Sequence, residues 1–209
     1  MEERAQAIAD VYDESAEATG WHGPEVAFGL AFRYVRPGES ILDLGIGTGL
    51  SSELFRKAGL QVSGMDISQE MLDACRAKGF TGLARHDLNE PPYPCAAGSF
   101  DHAVCLGVLN MIRDLSPVLA EVARILRRSG AFVFVVLDRG DDEPIELALG
   151  PEYTGEAEPV DVYCHSPSQI RAWLAASGFT PVHDLAFAVP MDPERLHSLP
   201  ARAYLARKD

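Results

Sequence analysis

Short apolar runs alternate with stretches of helical periodicity along most of the chain. Five of these runs have the length of buried strands, and they lie at residues 40–44, 60–65, 81–85, 100–106 and 131–137. Strands that are apolar throughout must be covered on both faces, so this alternation predicts βαβ units around a parallel sheet. The last part of the chain predicts one helix followed by two more strands, at residues 180–189 and 201–207, which brings the count to seven.

Local residues indicate where the predicted helices begin and end. The helix after the first strand is expected over residues 48–58. Ser68 is expected to cap the next helix, and Ser166 begins a capping box before the last one. The helix that starts at Ser116 is expected to reach Arg127, because cations are favoured at a helix C-terminus.

Residues 138–165 are the exception, because they show no firm periodicity. We expect a long irregular loop here, and a loop of this length in a compact domain is usually functional or mobile. The rest of the chain shows no internal repeat, low-complexity tract or obvious linker. A length of 209 residues therefore predicts a single domain that spans residues 1–209.

Charge and cysteine content narrow the class of partner. The chain has 18 lysines and arginines against 31 aspartates and glutamates, a formal net charge of -13. Nucleic acids and anionic membranes bind basic groups, so neither partner is expected unless the fold gathers a local basic patch. The four cysteines show no C-x-x-C pair and no zinc spacing, so no metal is expected. The N-terminus has no apolar signal stretch, and no apolar run approaches the length of a membrane span, which predicts a cytoplasmic protein.

A glycine-rich turn with the sequence D-L-G-I-G-T-G follows the first predicted strand, at residues 43–49. Glycines at a strand-to-helix turn let the backbone approach a ligand closely and adopt positive φ. This turn lies at the carboxyl end of its strand, where open parallel sheets bind ligands. Asp66 ends the second predicted strand, 21 residues after Gly45, and a carboxylate there can accept hydrogen bonds from both ribose hydroxyls of a nucleoside. The two features together predict a ligand that contains a nucleoside.

The glycine spacing separates two classes of cofactor. A dinucleotide site requires a third glycine at the sixth position of G-x-G-x-x-G, which here is Leu50. The third glycine instead comes one residue early, at Gly49. The resulting D-x-G-x-G-x-G pattern resembles motif I of the class I S-adenosylmethionine-dependent methyltransferases, and the G-S-F-D segment at residues 98–101 resembles the fourth-strand motif of that family. The resemblance extends from about residue 40 to the C-terminus.

The resemblance implies a three-layer, Rossmann-like, doubly wound α/β sheet of seven strands in the order 3-2-1-4-5-7-6, with strand 7 antiparallel. The seven strands predicted from the apolar pattern, which end in a β-pair, agree with this order. In members of this family the N-terminal segment, here residues 1–36, often folds over the cofactor as a helical lid. The loop at residues 138–165 lies where the family builds its acceptor site.

The resemblance also implies which residues surround the cofactor, S-adenosylmethionine. Asp43 and the glycine turn would surround its methionine part, and Asp66 would hold its ribose hydroxyls. Ile67 would pack on the adenine, Asp87 would accept the adenine amino group, and Leu88 would donate from its backbone. The full set of implied cofactor-binding residues is Asp43, Gly45, Ile46, Gly47, Thr48, Gly49, Asp66, Ile67, Met71, Asp87 and Leu88, with Leu106 and Gly107 near the sulfonium.

The family's reaction is methyl transfer, which we expect here to act on a small-molecule acceptor. The sulfonium already activates the methyl group, so the main task of the protein is to place the acceptor for in-line displacement. A general base is needed only if the acceptor must first lose a proton. The candidate catalytic residues are Tyr12, His22 and His165, and the candidate acceptor-binding residues are Trp21, Asn110 and Tyr163. Each histidine also has an ordinary interpretation as a solvated or structural side chain, and Trp21 as a packing residue.

Residues 138–161 carry nine acidic side chains and one basic residue, Arg139. One hypothesis is that their focused negative potential favours a cationic acceptor, such as an amine. The alternative is a solvated surface loop without such a role.

Three other functions fit parts of the pattern. A non-catalytic S-adenosylmethionine-binding regulatory subunit would need no general base, and a fold alone does not fix a function. A nicotinamide-dependent oxidoreductase is disfavoured by Leu50 in the glycine turn. Aminopropyl transfer would suit the acidic segment but usually needs an N-terminal β-extension.

A small-molecule acceptor is the expected partner, and a monomer or homodimer is the expected assembly.

Overall fold

The computed structural model describes residues 2–150 and 158–209, with side chains described from Val11 onward. Its helices are α1 (Glu2–Thr19), α2 (Gly23–Ala31), α3 (Glu53–Lys57), α4 (Gln69–Ala77), α5 (Ser116–Ile125) and α6 (Pro167–Ala176), with one 3-10 turn, η1, at Leu109–Met111. Its strands are β1 (Ser40–Leu44), β2 (Gln61–Asp66), β3 (Leu83–Arg85), β4 (Phe100–Cys105), β5 (Leu126–Asp138), β6 (Glu146–Leu149), β7 (Val160–His165), β8 (Phe179–Pro190) and β9 (Ser198–Lys208). None of the described helices combines the length and the apolar character that a bilayer-spanning helix requires.

One mixed sheet contains all nine described strands; one path through it runs β3, β2, β1, β4, β5, β9 and β8, and β7 with β6 branches from β5. The first five strands of this path run parallel, whereas β9 is antiparallel to both β5 and β8. This is the predicted order 3-2-1-4-5-7-6, because β8 and β9 are the sixth and seventh strands of the prediction. The Rossmann-like fold class is therefore confirmed, and the strand count differs from it by the two added strands β6 and β7.

Helices cover both faces of the sheet, as its apolar strands require. On one face, side chains of α5 and α6 pack against alternate residues of β5, including Phe132 and Phe134. On the other face, α2 and α3 pack against the intervening residues Val133 and Val135. A smaller cluster around Ile46 joins α4 to the glycine turn. The strands are thus fixed from both sides, and the carboxyl ends of the five parallel strands β1 to β5 share one edge of the sheet.

β5 has three neighbouring strands rather than two. Leu137 pairs with Ala201 of β9 and with Cys164 of β7, so β7 and β9 lie on opposite edges of β5. β4 pairs with the edge of β5 that lies opposite β9. β7 therefore pairs with the same edge of β5 as β4 does, beyond the end of β4. β7 joins β5 through only two residue pairs, Leu137 with Cys164 and Asp138 with His165. The hairpin of β6 and β7 therefore extends the carboxyl edge of the sheet, beside η1.

The prediction of an irregular loop at residues 138–165 is wrong for much of its length. β6 and β7 form an antiparallel hairpin in which Glu146 pairs with Tyr163 and Leu149 with Val160. None of the four residues of β6 is fully buried. The alternation of buried and exposed positions along β6 is therefore too weak to identify a strand in the sequence. Residues 151–157 lie outside the described residues.

Two predicted helix boundaries are corrected. The helix expected over residues 48–58 covers only Glu53–Lys57, because the residues before it still belong to turns. The helix expected to reach Arg127 ends at Ile125. Leu126 has a ψ of 145°, an extended conformation that opens β5 directly. Cationic residues at a helix end are therefore not sufficient to fix the last helical residue.

Both predicted N-caps are confirmed. The hydroxyl of Ser68 accepts a hydrogen bond from the backbone N–H of Met71 at 3.2 Å, and that of Ser166 accepts one from Gln169 at 3.3 Å. Each cap satisfies a backbone donor that a helix start leaves without an intrahelical partner. The caps therefore fix the points at which β2 is followed by α4 and β7 by α6.

Candidate functional site

The glycine-rich turn between β1 and α3 folds back against the end of β2. The backbone N–H groups of Gly45 and Ile46 both donate to the carbonyl of Met65, at 2.8 and 3.0 Å. Residue 45 must be glycine, because a Cβ at this position would lie 2.3 Å from Cγ2 of Val108. The turn therefore contacts the segment after β4 as well as β2, and the carboxyl ends of three strands meet at one place.

Gly47 lies at the tip of the turn and faces open space. Its φ is +53°, which side chains rarely adopt, and no atom lies within 4 Å of the position that a Cβ would occupy. The neighbouring residues Ile46 and Thr48 are 2% and 1% exposed, so their side chains turn inward. A ligand at this tip would meet the backbone of Gly47 rather than the side chains beside it.

Asp66 connects the glycine turn to the start of α4. Its Oδ2 accepts a hydrogen bond from the N–H of Gly47 at 2.9 Å, and its Oδ1 accepts one from the N–H of Ser68 at 2.9 Å. Each carboxylate oxygen has a second lone pair, so Asp66 can still accept two hydroxyl donors. The carboxylate thus lies at the tip of the turn, as a residue that accepts both hydroxyls of a ribose must.

Asp43 is fully buried at the start of the turn. Its Oδ2 accepts a hydrogen bond from the Ser52 hydroxyl at 2.8 Å, whereas its Oδ1 has no partner among the described residues. Burial raises the pKa of Asp43 to about 7 against the lowering effect of the Ser52 hydrogen bond, and the charge of Asp66 adds to the rise. A buried acceptor without a partner is costly, so this oxygen suits a ligand that brings a donor or a positive charge.

Ile67 and Asp87 follow the ends of β2 and β3. Ile67 exposes 58% of its surface, an apolar area that a flat ring can cover. Oδ1 of Asp87 accepts hydrogen bonds from the backbone and side-chain amides of Asn89, at 2.8 and 3.0 Å. No described residue bonds to its Oδ2, which can therefore accept from an amino group. Leu88 is buried, and its carbonyl accepts from the Tyr93 hydroxyl at 3.0 Å.

Asp13 connects α1 to the glycine turn and to the end of α4. Its Oδ1 accepts a hydrogen bond from the Thr48 hydroxyl at 2.7 Å, and its Oδ2 forms an ion pair with Lys78, which follows α4. We call these three residues the Asp13 clasp. Because α1 also packs along α4, the clasp holds the first helix over the turn.

We expect Asp13→Asn to loosen α1 without unfolding the rest of the chain. The substitution removes a partly buried ion pair and weakens one hydrogen bond, a loss of about 1 kcal/mol. The backbone amides of residues 2–19 should then exchange hydrogen faster, whereas those of α5 should not change. Asp73→Asn is the matched control, because Asp73 pairs with Arg76 on α4, outside the clasp. Unchanged exchange at residues 2–19 in Asp13→Asn would show that the clasp does not hold α1.

Comparison with known proteins shows which proteins the chain resembles. A family model described as a methyltransferase domain matches residues 42–134, which include the glycine turn, Asp66, Asp87 and β4. A solved structure of an S-adenosylmethionine-dependent methyltransferase from Methanosarcina mazei has a TM-score of 0.72 and 18% identity, covering 86% of this chain and 96% of that one. The match and the fold are those of the class I S-adenosylmethionine-dependent methyltransferases, which the chain resembles.

Two further proteins are similar to the chain. A ubiquinone biosynthesis O-methyltransferase of Xanthomonas campestris pv. campestris is 27% identical over 153 residues, which are 69% of this chain and 64% of the relative. The chain thus spans less than two thirds of the length of that curated relative. The structure of the 1,6-didemethyltoxoflavin-N1-methyltransferase of Burkholderia thailandensis, with its substrate and S-adenosylhomocysteine bound, has a TM-score of 0.65 and 21% identity, covering 95% of this chain and 81% of that one. At these identities the structural likeness establishes the fold.

The site suits the family's cofactor, S-adenosylmethionine. The partnerless Oδ1 of buried Asp43 suits the positively charged methionine end. The unused lone pairs of Asp66 suit two ribose hydroxyls, and Oδ2 of Asp87 suits an amino group. The open space at Gly47 would be filled by any other side chain, so this residue lets a ligand approach the backbone.

Tyr12 reaches the same region from α1. Although Tyr12 exposes 48% of its surface, its partial burial and the negative charges of Asp13, Asp66 and Asp43 raise the pKa of Tyr12. The phenol therefore stays protonated at neutral pH, so it can donate a hydrogen bond but cannot accept a proton from a substrate.

His22 keeps one ring nitrogen available, whereas Trp21 is a packing residue. Nδ1 of His22 lies 3.0 Å from the carbonyl of Gly20, so Nδ1 carries the proton and Nε2 keeps its lone pair. The His22 ring contacts Phe187 edge-on, with centroids 5.3 Å apart. The Trp21 ring fills the space where a Cβ on Gly23 would lie, and it joins the core cluster beneath α2. Of the two residues, only His22 has the geometry of a base.

His165 differs from the other candidates because it is fully buried. Burial lowers the pKa of His165, against the raising effect of the backbone of Arg113 and Ile112 beside its ring. Its ring packs edge-on against Trp173, with centroids 5.6 Å apart. An acceptor therefore cannot reach His165 in this conformation. Asn110 and Tyr163 are half-buried on η1 and β7, which pack against each other.

Arg139 organises the start of the acidic segment. Its guanidinium donates to the carbonyls of Gly140, Asp141 and Glu143 at 2.9–3.0 Å. It also donates to the carbonyl of Cys164 at 3.0 Å, which ties the segment to β7. These bonds define the backbone after β5, so this part of the segment has a fixed shape.

Several acids of this segment take part in structural contacts rather than facing a ligand. The partners are Arg202 for Asp138, Ser168 for Asp141, the N–H of Gly140 for Glu143, and Arg113 for Glu146. Glu152 and Glu156 lie outside the described residues. The arginine partners of Asp138 and Glu146 reduce the negative potential of these two carboxylates, which lessens the support for a cationic acceptor.

The sequence reasoning missed Asp13 and Ser52. Ser52 satisfies one oxygen of Asp43, and Asp13 joins α1 to the turn. Neither residue stands in a recognisable motif, because its role depends on the path of the chain between it and its partner. The only available signal was the position of Asp13 next to Tyr12, a residue that the sequence does single out.

Proposed function

We propose that this chain is an S-adenosylmethionine-dependent methyltransferase that transfers a methyl group to a small-molecule acceptor by in-line displacement. The observation that carries the proposal is the glycine turn, whose tip at Gly47 donates to Asp66 at the carboxyl edge of the sheet. The family match over residues 42–134 supports the same activity. S-adenosylmethionine supplies a methyl group that its sulfonium already activates.

In this proposal three carboxylates bind different parts of the cofactor. Asp66 accepts the ribose hydroxyls, Asp87 accepts the adenine amino group, and Asp43 faces the positively charged methionine end. Ile67 covers the adenine ring. The other proposed cofactor residues shape or line the same edge, and they are Gly45, Ile46, Gly47, Thr48, Gly49, Met71, Leu88, Leu106 and Gly107.

The acceptor side is formed by the N-terminal segment together with η1 and β7. Tyr12 donates a hydrogen bond there, and Asn110 and Tyr163 line the opposite wall. Nε2 of His22 is the proposed general base, since Nδ1 is held by a backbone carbonyl and Nε2 keeps its lone pair. Residues 1–36 act as the lid, which the Asp13 clasp keeps over the turn. Buried His165 has no role in the transfer itself.

A hydroxyl is the proposed acceptor group. The curated relative is named an O-methyltransferase, which favours oxygen over nitrogen or carbon. A hydroxyl must lose its proton when the methyl group arrives, and Nε2 of His22 is proposed to accept that proton. Because several acids of residues 138–161 have partners in the fold, charge selection of an amine has less support.

We expect the purified chain to convert S-adenosylmethionine to S-adenosylhomocysteine only when an acceptor is present. The test is a panel of phenols and catechols, amines and carboxylic acids, with both products measured by mass spectrometry. Turnover with phenols or catechols is the expected result. A preference for amines at low salt that disappears at high salt would instead assign acceptor selection to the acidic segment.

Thermal shifts separate this function from its alternatives. A ligand that binds the folded state raises the melting temperature, so S-adenosylhomocysteine should stabilise the chain and NADH should not. Stabilisation by S-adenosylhomocysteine without turnover on any acceptor would favour a regulatory subunit. Stabilisation by NADH alone would favour an oxidoreductase.

Tyr204 and Lys208 have the Y-x-x-x-K spacing of some hydride-transfer enzymes, but their environment does not suit that role. Tyr204 is 1% exposed and stacks on Phe134, with centroids 5.2 Å apart. The Lys208 ammonium donates to the carbonyl of Leu126 at 2.7 Å. Both side chains therefore support the sheet, away from the glycine turn.

A further inference from the structure

A cleft of about 440 Å³ opens at the edge of the sheet opposite the glycine turn. It lies where β1, β4 and β5 begin and where β9 ends. Although the chain carries a net charge of -13, five arginines line this cleft, namely Arg33, Arg36, Arg127, Arg128 and Arg207. We call it the arginine cleft. The composition of the chain disfavours anionic partners unless the fold gathers a local basic patch, and the arginine cleft is such a patch.

Two carboxylates also line the arginine cleft, and both are already engaged. Asp101 pairs with Arg127 and accepts two hydrogen bonds from a serine of β1, at 2.9 and 2.8 Å. Glu39 accepts from the N–H of Arg36 at 2.7 Å and lies 2.8 Å from Nε2 of His102. Five arginines against two carboxylates leave an excess of three positive charges.

Three of the five guanidinium groups have no partner in the described part of the chain. The side chains of Arg33, Arg36 and Arg128 form no hydrogen bond or ion pair with any described residue, and all three residues are exposed. Arg207 differs, because it donates to the carbonyl of Ser129 at 3.1 Å. Like charges repel one another, so three unpaired guanidinium groups around one concave surface favour a bound anion.

A bulge in β5 places two of these arginines at the cleft. Leu126 pairs with Phe100 and Ala131 with His102, so residues 127–130 of β5 lie opposite a single residue of β4. Within the bulge Ser129 has a φ of 64°, a left-handed conformation that is uncommon for a residue other than glycine. Bulges re-aim side chains, and this one directs Arg127 and Arg128 to the cleft.

We propose that the arginine cleft binds the phosphate or pyrophosphate group of a small organic phosphate. Guanidinium groups bind phosphate oxygens through paired, charge-assisted hydrogen bonds. The volume of the cleft falls within the range of small-ligand sites, about 300–1,000 Å³. Tyr34 lines one wall, and its hydroxyl is held 2.9 Å from Nε2 of His183, so its ring offers a fixed surface for the organic part.

A small ligand fits these observations better than a nucleic acid or a membrane does. Polyanions bind through many phosphate contacts spread along a surface. The five arginines are instead gathered in one cleft of a strongly acidic chain, whose net charge of -13 repels an extended polyanion.

The proposal is independent of the methyltransferase site. The cleft and the glycine turn lie at opposite ends of β1, whose five residues separate them by about 15 Å. No residue of the cleft belongs to the glycine turn or to the residues around it. The two sites can therefore be loaded and tested separately.

The test is calorimetric titration of the full chain with inorganic pyrophosphate at low salt. We expect measurable binding that weakens with added salt. The double variant Arg33→Gln, Arg128→Gln should weaken it by about tenfold or more, because two charge-assisted contacts are lost. Arg76→Gln is the matched control, since Arg76 lies on α4 away from the cleft, and it should bind as the wild type does. Binding of S-adenosylhomocysteine by each variant checks that the fold is intact.

Three results would overturn the proposal. One is the absence of pyrophosphate binding by the wild-type chain. Another is equal binding by the double variant and the control, which would locate the anion elsewhere. The third is tighter binding of a single-stranded RNA oligonucleotide or of phosphatidylserine vesicles that is lost in the same double variant, because it would identify the cleft as part of a polyanion surface.

Discussion

Asp66→Asn should weaken the binding of S-adenosylhomocysteine by about 100-fold, because two charge-assisted hydrogen bonds to a ribose contribute about 1.5 kcal/mol each. The asparagine keeps the shape of the side chain but replaces one acceptor oxygen by a donor. That amide group would then face the N–H of Gly47 or of Ser68, which are donors themselves. The dissociation constant from calorimetry measures the effect. S-adenosylhomocysteine is the chosen ligand because it lacks the sulfonium charge.

Asp73→Asn is the control for this experiment, because Asp73 is a carboxylate of α4 that pairs with Arg76 and not with the glycine turn. It should bind S-adenosylhomocysteine within threefold of the wild type. An Asp66→Asn chain that binds as tightly as this control would remove Asp66 from the ribose site. If the wild-type chain itself fails to bind S-adenosylhomocysteine, the proposed function fails, whereas the arginine cleft is tested by pyrophosphate alone.

Asp43→Asn should make the chain more stable at neutral pH, although it removes a residue of the proposed cofactor site. Burial raises the pKa of Asp43 to about 7 from an ordinary value of 3.8. Between these two pH values the folded state keeps a proton that the unfolded chain has released. The free energy of unfolding therefore falls as pH rises through this window, by about 4 kcal/mol in total. An asparagine does not titrate and can still accept the Ser52 hydrogen bond, so the variant avoids this loss.

Urea unfolding of both proteins between pH 4 and pH 8 measures this prediction. The stability advantage of Asp43→Asn should be small near pH 4, grow towards pH 7 and then level off. Asp101→Asn is a control for which we expect the opposite effect on stability. Burial would raise the pKa of Asp101, but hydrogen bonds from Ser40 and Arg127 lower it to about 2, so its loss should destabilise the chain at neutral pH. A difference between wild type and Asp43→Asn that does not change with pH would show that Asp43 does not titrate in this window.

The gain in stability should be accompanied by weaker binding of S-adenosylmethionine. The neutral amide no longer offers a negative charge to the cationic end of the cofactor. Together the two results would show that the wild-type chain keeps the buried charge of Asp43 at a cost in stability, as is common at functional sites.

Most of the strands and the edge that carries the site were predictable because they depend on local patterns, whereas the strand order was implied by the resemblance to a known family. Apolar runs fix the strands, the spacing of Gly45, Gly47 and Gly49 fixes the turn, and parallel strands bring Asp66 to the same edge. The capping residue Ser68 was predictable for the same reason, since its partner is only three residues away. In each case the residues that interact are adjacent or belong to neighbouring βα units.

Features that depend on distant segments could not be predicted from the sequence. Asp13 and Thr48 are 35 residues apart, and nothing in either segment indicates the hydrogen bond between them. The arginine cleft combines side chains from four separate segments, each of which has an unremarkable charge pattern. The bulge after Leu126 replaces a predicted helix end because pairing with β4 outweighs the local preference for continuing the helix.

The narrow attachment of the β6–β7 hairpin has a practical consequence. Only Leu137 and Asp138 of β5 connect it to the parallel strands, while the remaining pairs of the hairpin are internal to it. Exchange of this segment for that of a relative would disturb few bonds of the framework that carries the glycine turn. If β7 lines the acceptor side, as proposed, chimeras that exchange this hairpin should change the acceptor preference and leave the binding of S-adenosylhomocysteine unchanged.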